Sequence, residues 1–142
     1  MWRAHTPRML FFLFIAFLML SELWLSNWGS LTTNLEGTAA LLGLSVAAER
    51  TRLYILIVLD AVGGGGALLA TIGFLVNQPR LQSLGIWLTT VGLVLYGGYQ
   101  VTSALRQLAP PLTGTIALIG VIYIAVGIVA YIVGTRTGRV KS

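Results

Sequence analysis

Cysteine is absent from the 142-residue chain, and histidine occurs once, at His5. The first absence excludes disulfides, thiolate metal sites and thiol redox chemistry carried by this chain. The second excludes a pair of histidines holding a haem between helices. Charge is almost as scarce, at 9% of residues, and Asp and Glu together number only four. A soluble domain carries roughly 25% charged residues. Also missing are a nucleophile–base pair, a metal-ligand cluster and a phosphate loop, so an enzyme is the least supported class. The run "GGGG" (Gly63 to Gly66) lacks the Lys-Ser/Thr of a phosphate loop and lies inside an apolar stretch. The net charge of +5 does not point to nucleic acid. Its basic residues flank apolar segments, as membrane topology demands.

What the chain does have is apolar length. Hydrophobic residues make up 56% of it, and the mean hydropathy is +0.87. A spanning helix needs about 20 mostly apolar residues. Four windows qualify, at about 8–28, 53–76, 84–105 and 113–134. Asn77 to Arg80 ("NQPR") predicts a tight turn between the second and third, and Ala109 to Pro111 ("APP") separates the third from the fourth. At these lengths, and without alternation, the segments predict helices rather than barrel strands. The expectation is one all-α domain, a four-helix transmembrane bundle. Ser21-Glu22-Leu23 lacks the small-x-small cleavage pattern of a signal peptide, so the first window is expected to remain a span.

Arg3, Arg8, Arg80, Arg136, Arg139 and Lys141 fall on one side of these spans; Arg50, Arg52 and Arg106 fall on the other. The positive-inside rule then predicts cytoplasmic N- and C-termini in a plasma (bacterial inner) membrane. Trp24 and Trp28 fit the outer aromatic belt, and Trp2 and Trp87 the inner one. The one long connection, an outer loop over 29–52, contains an apolar run within Glu36 to Arg50 that is too short to span. It predicts a short extra helix on the outer surface or in the mouth of the bundle, as a cap or as a lid over a ligand.

Helices in lipid associate where small residues let backbones approach. Gly66 and Gly73 lie seven apart, as do Gly85 and Gly92, and Gly120 and Gly127. That interval keeps one seam on a partner helix. Gly63 and Gly64 add small residues on further faces of the second span, which predicts a helix gripped from two sides.

Asp60 shares a face with Gly64, Ala67 and Thr71, so it should point into the bundle. At 1.5 Å per residue it lies about 11 Å deep, and Glu22 about 8 Å from the outer end of its span. Tyr96, Gln100 and Ser103 form a polar stripe on the third span, and Tyr123 lies mid-way along the fourth. Glu22, Asp60, Tyr96, Gln100, Ser103 and Tyr123 all fall in the outer half and are the candidate ligand site; an intramembrane acid marks a functional site by default. A hydrogen-bonded network that only fixes the bundle is the alternative. No metal site and no covalent cofactor is expected. A quinone or a lipid is the ligand such a pocket would hold.

The order of parts resembles the DoxX and DoxX-like families of small four-helix membrane proteins. The likeness is carried by "LLGLS" (Leu41 to Ser45) and "LDAVGGGGALLATIGF" (Leu59 to Phe74), within about residues 37–84. Asp60 stands where that family more often has Glu. The resemblance implies a membrane partner of a quinone-linked redox assembly, without implying redox centres in this chain. Three functions follow as expectations. The first is a non-catalytic subunit or assembly partner of a larger membrane complex, bound to other subunits or to itself. The second is a lipid- or quinone-binding protein. The third is a small proton-coupled transporter with Glu22 or Asp60 as the exchanging carboxyl.

Overall fold

The computed structural model describes residues 2–107 and 112–135. Within them all regular structure is helical. Helix α1 (Trp2–Ser21) continues without a break through a π-helical segment (Glu22–Trp28) into α2 (Gly29–Thr33). Then come α3 (Leu35–Leu42), α4 (Val46–Leu75), α5 (Pro79–Gln107) and α6 (Leu112–Thr135). Four stretches are long and apolar enough to cross a bilayer: Thr6–Thr33, Val46–Leu75, Pro79–Arg106 and Thr113–Thr135. The protein is a multi-pass, all-α membrane bundle, and its apolar outer faces meet lipid.

The element boundaries differ from the expectation mainly on the outer side. The first span runs on to Thr33, and α4 starts at Val46 rather than near 53, so the 29–52 loop shrinks. The single short helix expected within Glu36 to Arg50 is cut in two. Gly43 adopts φ 75°, where a glycine is needed. Its N–H and that of Leu44 close α3 onto Ala40 O (3.2 Å) and Ala39 O (2.9 Å). Ser45 then caps α4, its Oγ accepting from Ala48 N at 3.1 Å. The turn at Val76–Gln78 follows the expected "NQPR" position. Asn77 takes φ 56°, and Pro79 opens α5, where its missing N–H costs nothing. The expected break at Ala109 to Pro111 lies outside the described residues.

The four spans form an open row. α4 packs between α1 and α5, α5 packs between α4 and α6, and α1 barely meets α6. Glycines set the close approaches. A Cβ on Gly92 would lie 2.5 Å from the Gly63 backbone. A Cβ on Gly85 would strike the backbone of Ala70, and one on Gly97 the carbonyl of Gly120. Gly66 and Gly73 face the α5 backbone at Leu88–Thr89 and Leu81–Gln82, and Gly127 faces Leu93 and Val94. Gly63 and Gly64 also meet Met19 and Leu20 of α1, so α4 is held from two sides. Gly65 meets nothing within 4 Å. The apolar core of Phe12, Ile15, Met19, Phe74, Ile86 and Leu93 fills the middle and inner bundle. A separate small cluster, Leu42 with Ala104, Leu44, Ile116 and Ala117, seats α3 in the mouth of the bundle.

Candidate functional site

The π-helical segment decides which side chains meet. In an α-helix, residues five apart are separated by about 140° around the axis. In a π-helix the i→i+5 bond brings them nearly into line, and such segments recur at functional sites. Glu22 and Asn27 are five apart and lie inside this segment. Both therefore reach the inner face of the first span. Trp24 and Trp28, on the outside of the segment, stack on each other at 6.5 Å.

Asn27 is buried. Its Nδ2 donates to Asp60 Oδ2 at 2.7 Å and reaches Tyr96 Oη at 3.4 Å. Tyr123 Oη donates to Glu22 Oε1 at 2.5 Å. The Tyr96 and Tyr123 rings stack at 4.5 Å with 18° between planes, joining the two contacts. Glu22 lies within electrostatic range of Asp60. Asp60 is 0% exposed, and its Oδ1 takes no hydrogen bond. Four of the six candidate residues, Glu22, Asp60, Tyr96 and Tyr123, thus come together around Asn27.

Gln100 and Ser103 belong to a different cluster, further along α5 toward α3. Gln100 Oε1 accepts from Arg52 Nη2 at 3.2 Å. Arg52 Nη1 donates to both oxygens of Glu49, at 3.1 and 3.3 Å. Glu49, Arg52, Gln100 and Ser103 are all buried. Arg52 Nε and Ser103 Oγ take no partner. Shared depth put these two residues with Asp60 in the sequence; the buried Leu56 occupies the intervening turn of α4 and keeps the tiers apart. Thr89 and Thr71 join neither tier, because each hydroxyl bonds back to its own helix, at Gly85 O (2.7 Å) and Ala67 O (2.8 Å).

Three members escaped the sequence reading. Asn27 does not share an α-helical face with Glu22, and only π winding unites them. Glu49 and Arg52 read as loop residues and topology charges, although their i,i+3 spacing between apolar neighbours signals a helical ion pair.

Because α1 and α6 hardly touch, a crevice of about 330 Å³ opens between them. Ile15, Leu18 and Met19 form one wall, Ile122 and Val126 the other, and Leu93 the back. Glu22 and Tyr123 close one end. Leu18 and Ile122, on the rim, are half exposed. Among the described residues no group of three His, Cys, Asp or Glu is placed to hold a metal ion.

Asn27 carries the link between the π segment and α4. Replacing it with leucine should lower stability by about 0.6–1.7 kcal/mol, the range for an interhelical hydrogen bond in a membrane. The loss should shrink in an Asp60→Leu background, where only the longer 3.4 Å contact to Tyr96 Oη remains. Paired unfolding measurements in mild detergent check both outcomes. Equal losses in the two backgrounds would show that the Asn27–Asp60 bond contributes nothing.

No family model, curated protein or solved structure matches the chain.

Proposed function

We propose that the protein binds a lipid-soluble amphiphile, of the class that includes lipids and quinones, in the crevice between α1 and α6. One observation carries this reading: an apolar crevice opening toward lipid ends on an acid–phenol pair, Glu22 and Tyr123. An amphiphile needs those two parts, an apolar slot for its chain and a few placed polar groups for its head. At about 330 Å³ the crevice is at the small end of ligand sites, which run from about 300 to 1,000 Å³. It suits a head group with the first part of a chain. Purification in mild detergent, followed by solvent extraction and mass spectrometry, tests the proposal. A bound amphiphile should accompany the protein. Its content should fall about tenfold in a Glu22→Gln/Tyr123→Phe double variant that still unfolds cooperatively, as expected for two lost hydrogen bonds. Unchanged content would refute the assignment.

A second reading has its own support. The most apolar windows of the first and last spans are 22% and 17% buried, against 44% and 39% for the two central spans. The flanking helices thus leave wide apolar faces for lipid or for another subunit. This supports a non-catalytic subunit or assembly partner of a larger membrane complex, as the DoxX-like resemblance implies. Co-purification in native-lipid nanodiscs checks it: migration as a lone, stable chain would count against it.

We also propose that both termini are cytoplasmic, in a plasma (bacterial inner) membrane. Arg52 is tied to Glu49 inside the bundle, so Arg50 and Arg106 are the outer basic residues left against the six on the other side.

A further inference from the structure

The polar end of the crevice is formed by Glu22 and Tyr123, with Asp60, Tyr96 and Asn27 buried behind them. Around Glu22, α4 contributes Asp60, α5 Tyr96, α6 Tyr123, and the π segment Asn27. Among the described residues no Lys or Arg lines the crevice. Arg52, on the same face of α4, has Nη1 on Glu49 and Nη2 on Gln100, with the buried Leu56 on the turn between it and Asp60. Buried charges are paired in proteins, and a carboxyl without a partner keeps its proton instead. Two acids with no cationic neighbour therefore leave a positive charge to be supplied from outside, by protons or by a ligand.

Two more features point to a ligand. Asp60 Oδ1 is fully buried and takes no hydrogen bond from a nitrogen or hydroxyl donor among the described residues, with the Glu22 carboxyl beside it to share a proton. The Tyr123 ring, backed by Tyr96 at 4.5 Å, forms part of the crevice surface. The faces of aromatic rings attract ammonium groups, and a stacked pair beside a carboxyl is a binding surface for an organic cation. An anionic head group finds no cation here among the described residues, and a neutral one leaves both protons in place, whereas an organic cation can replace one of them.

We infer that the crevice takes a lipophilic ammonium ion, with its nitrogen against Glu22 and the Tyr123 ring and its chain along Met19, Leu93 and Val126. The inference rests on the crevice being a ligand site, as proposed above, and names the head group that site selects. The exchange is balanced in charge. One organic cation enters, one proton leaves the Glu22–Asp60 pair for water, and no covalent bond other than O–H breaks. Cation and proton compete for the same carboxyl, so binding should weaken as the pH is lowered.

Three probes with one chain separate the outcomes: decyltrimethylammonium, decanol and decyl sulfate, in equilibrium dialysis against the full chain in maltoside micelles. Protein-free micelles give the blank. The cation should bind about tenfold more tightly than decanol, and decyl sulfate should not exceed the blank. A pH indicator in weak buffer should record proton release as the cation binds. Glu22→Gln should abolish the preference for the cation over decanol, while Tyr123→Phe, which keeps the ring, should retain it. Should Glu22→Gln fail to fold, proton release by the unaltered protein decides. Decanol binding as tightly as the cation, or cation binding without proton release, overturns the inference and leaves the amphiphile site standing. Binding of none of the three above the blank overturns both.

Discussion

Arg52→Met should destabilise the protein by about 3–5 kcal/mol, the cost of removing one member of a buried ion pair. The substitution conserves most of the apolar stem, so the loss reports the guanidinium rather than the packing. Glu49 is 0% exposed, and its partner among the described residues is Arg52, which donates to both its oxygens. Without Arg52 the acid would be left buried with no donor, and Gln100 would lose one as well. A Glu49→Gln/Arg52→Met double variant should recover a large part of the loss, since no buried charge then remains. Arg50 provides the control. It lies two residues away in the same helix but is exposed, so Arg50→Met should leave the unfolding midpoint unchanged. Denaturant titration in maltoside micelles, followed by helical circular dichroism, measures all three. A loss at Arg52 no larger than at Arg50 would mean that the pair is solvated and structurally idle.

The second large effect divides the "GGGG" run residue by residue. Gly66→Ala should cost about 1–3 kcal/mol, as expected for overpacking a close helix contact. Its new Cβ would lie 2.5 Å from Leu88 Cβ and 2.7 Å from Thr89 N. The second of these is backbone, so it cannot rotate away. Gly65→Ala should do the opposite. With nothing within 4 Å, alanine should stabilise α4 by about 0.5–1 kcal/mol through its better helix propensity. Gly92→Ala should behave like Gly66→Ala, because its Cβ would meet Gly63 Cα and N at 2.5 Å. The same detergent unfolding series reads all three. Parallel responses at Gly65 and Gly66 would show that the α4–α5 approach is looser than this geometry requires.

Several features of the fold and the site were legible without coordinates. The four spans follow from apolar length. The inward aim of Asp60 follows from its position on a small-residue face of α4, and the two-sided grip on α4 from glycines on more than one face. Other features depend on interactions that no local pattern encodes. Gly97 drew no notice because no glycine lies seven residues from it, where Thr90 and Ala104 stand, and only the packing of α5 on α6 sets it against Gly120. The start of α4 moved outward because Glu49 pairs with Arg52 and Gln100 accepts a hydrogen bond from it inside the bundle, so a charge that looked like the end of a span became part of its core. Asn27 reached Asp60 only because the first span winds as a π-helix there.

Composition and spacing by themselves determined the solvent and the number of spans, because these depend on apolar length. The depths moved with the span ends, and with α4 beginning at Val46, Asp60 lies near the middle of its helix rather than close to its outer end. Only the tertiary structure decided which polar groups meet. It placed Glu22, Asn27, Asp60, Tyr96 and Tyr123 in one cluster and Glu49, Arg52 and Gln100 in another, because lateral contacts depend on helix rotation and on which helices are neighbours. The same arrangement left α1 and α6 apart, and the crevice between them exists because α4 and α5, joined through their glycines, occupy the centre of the row.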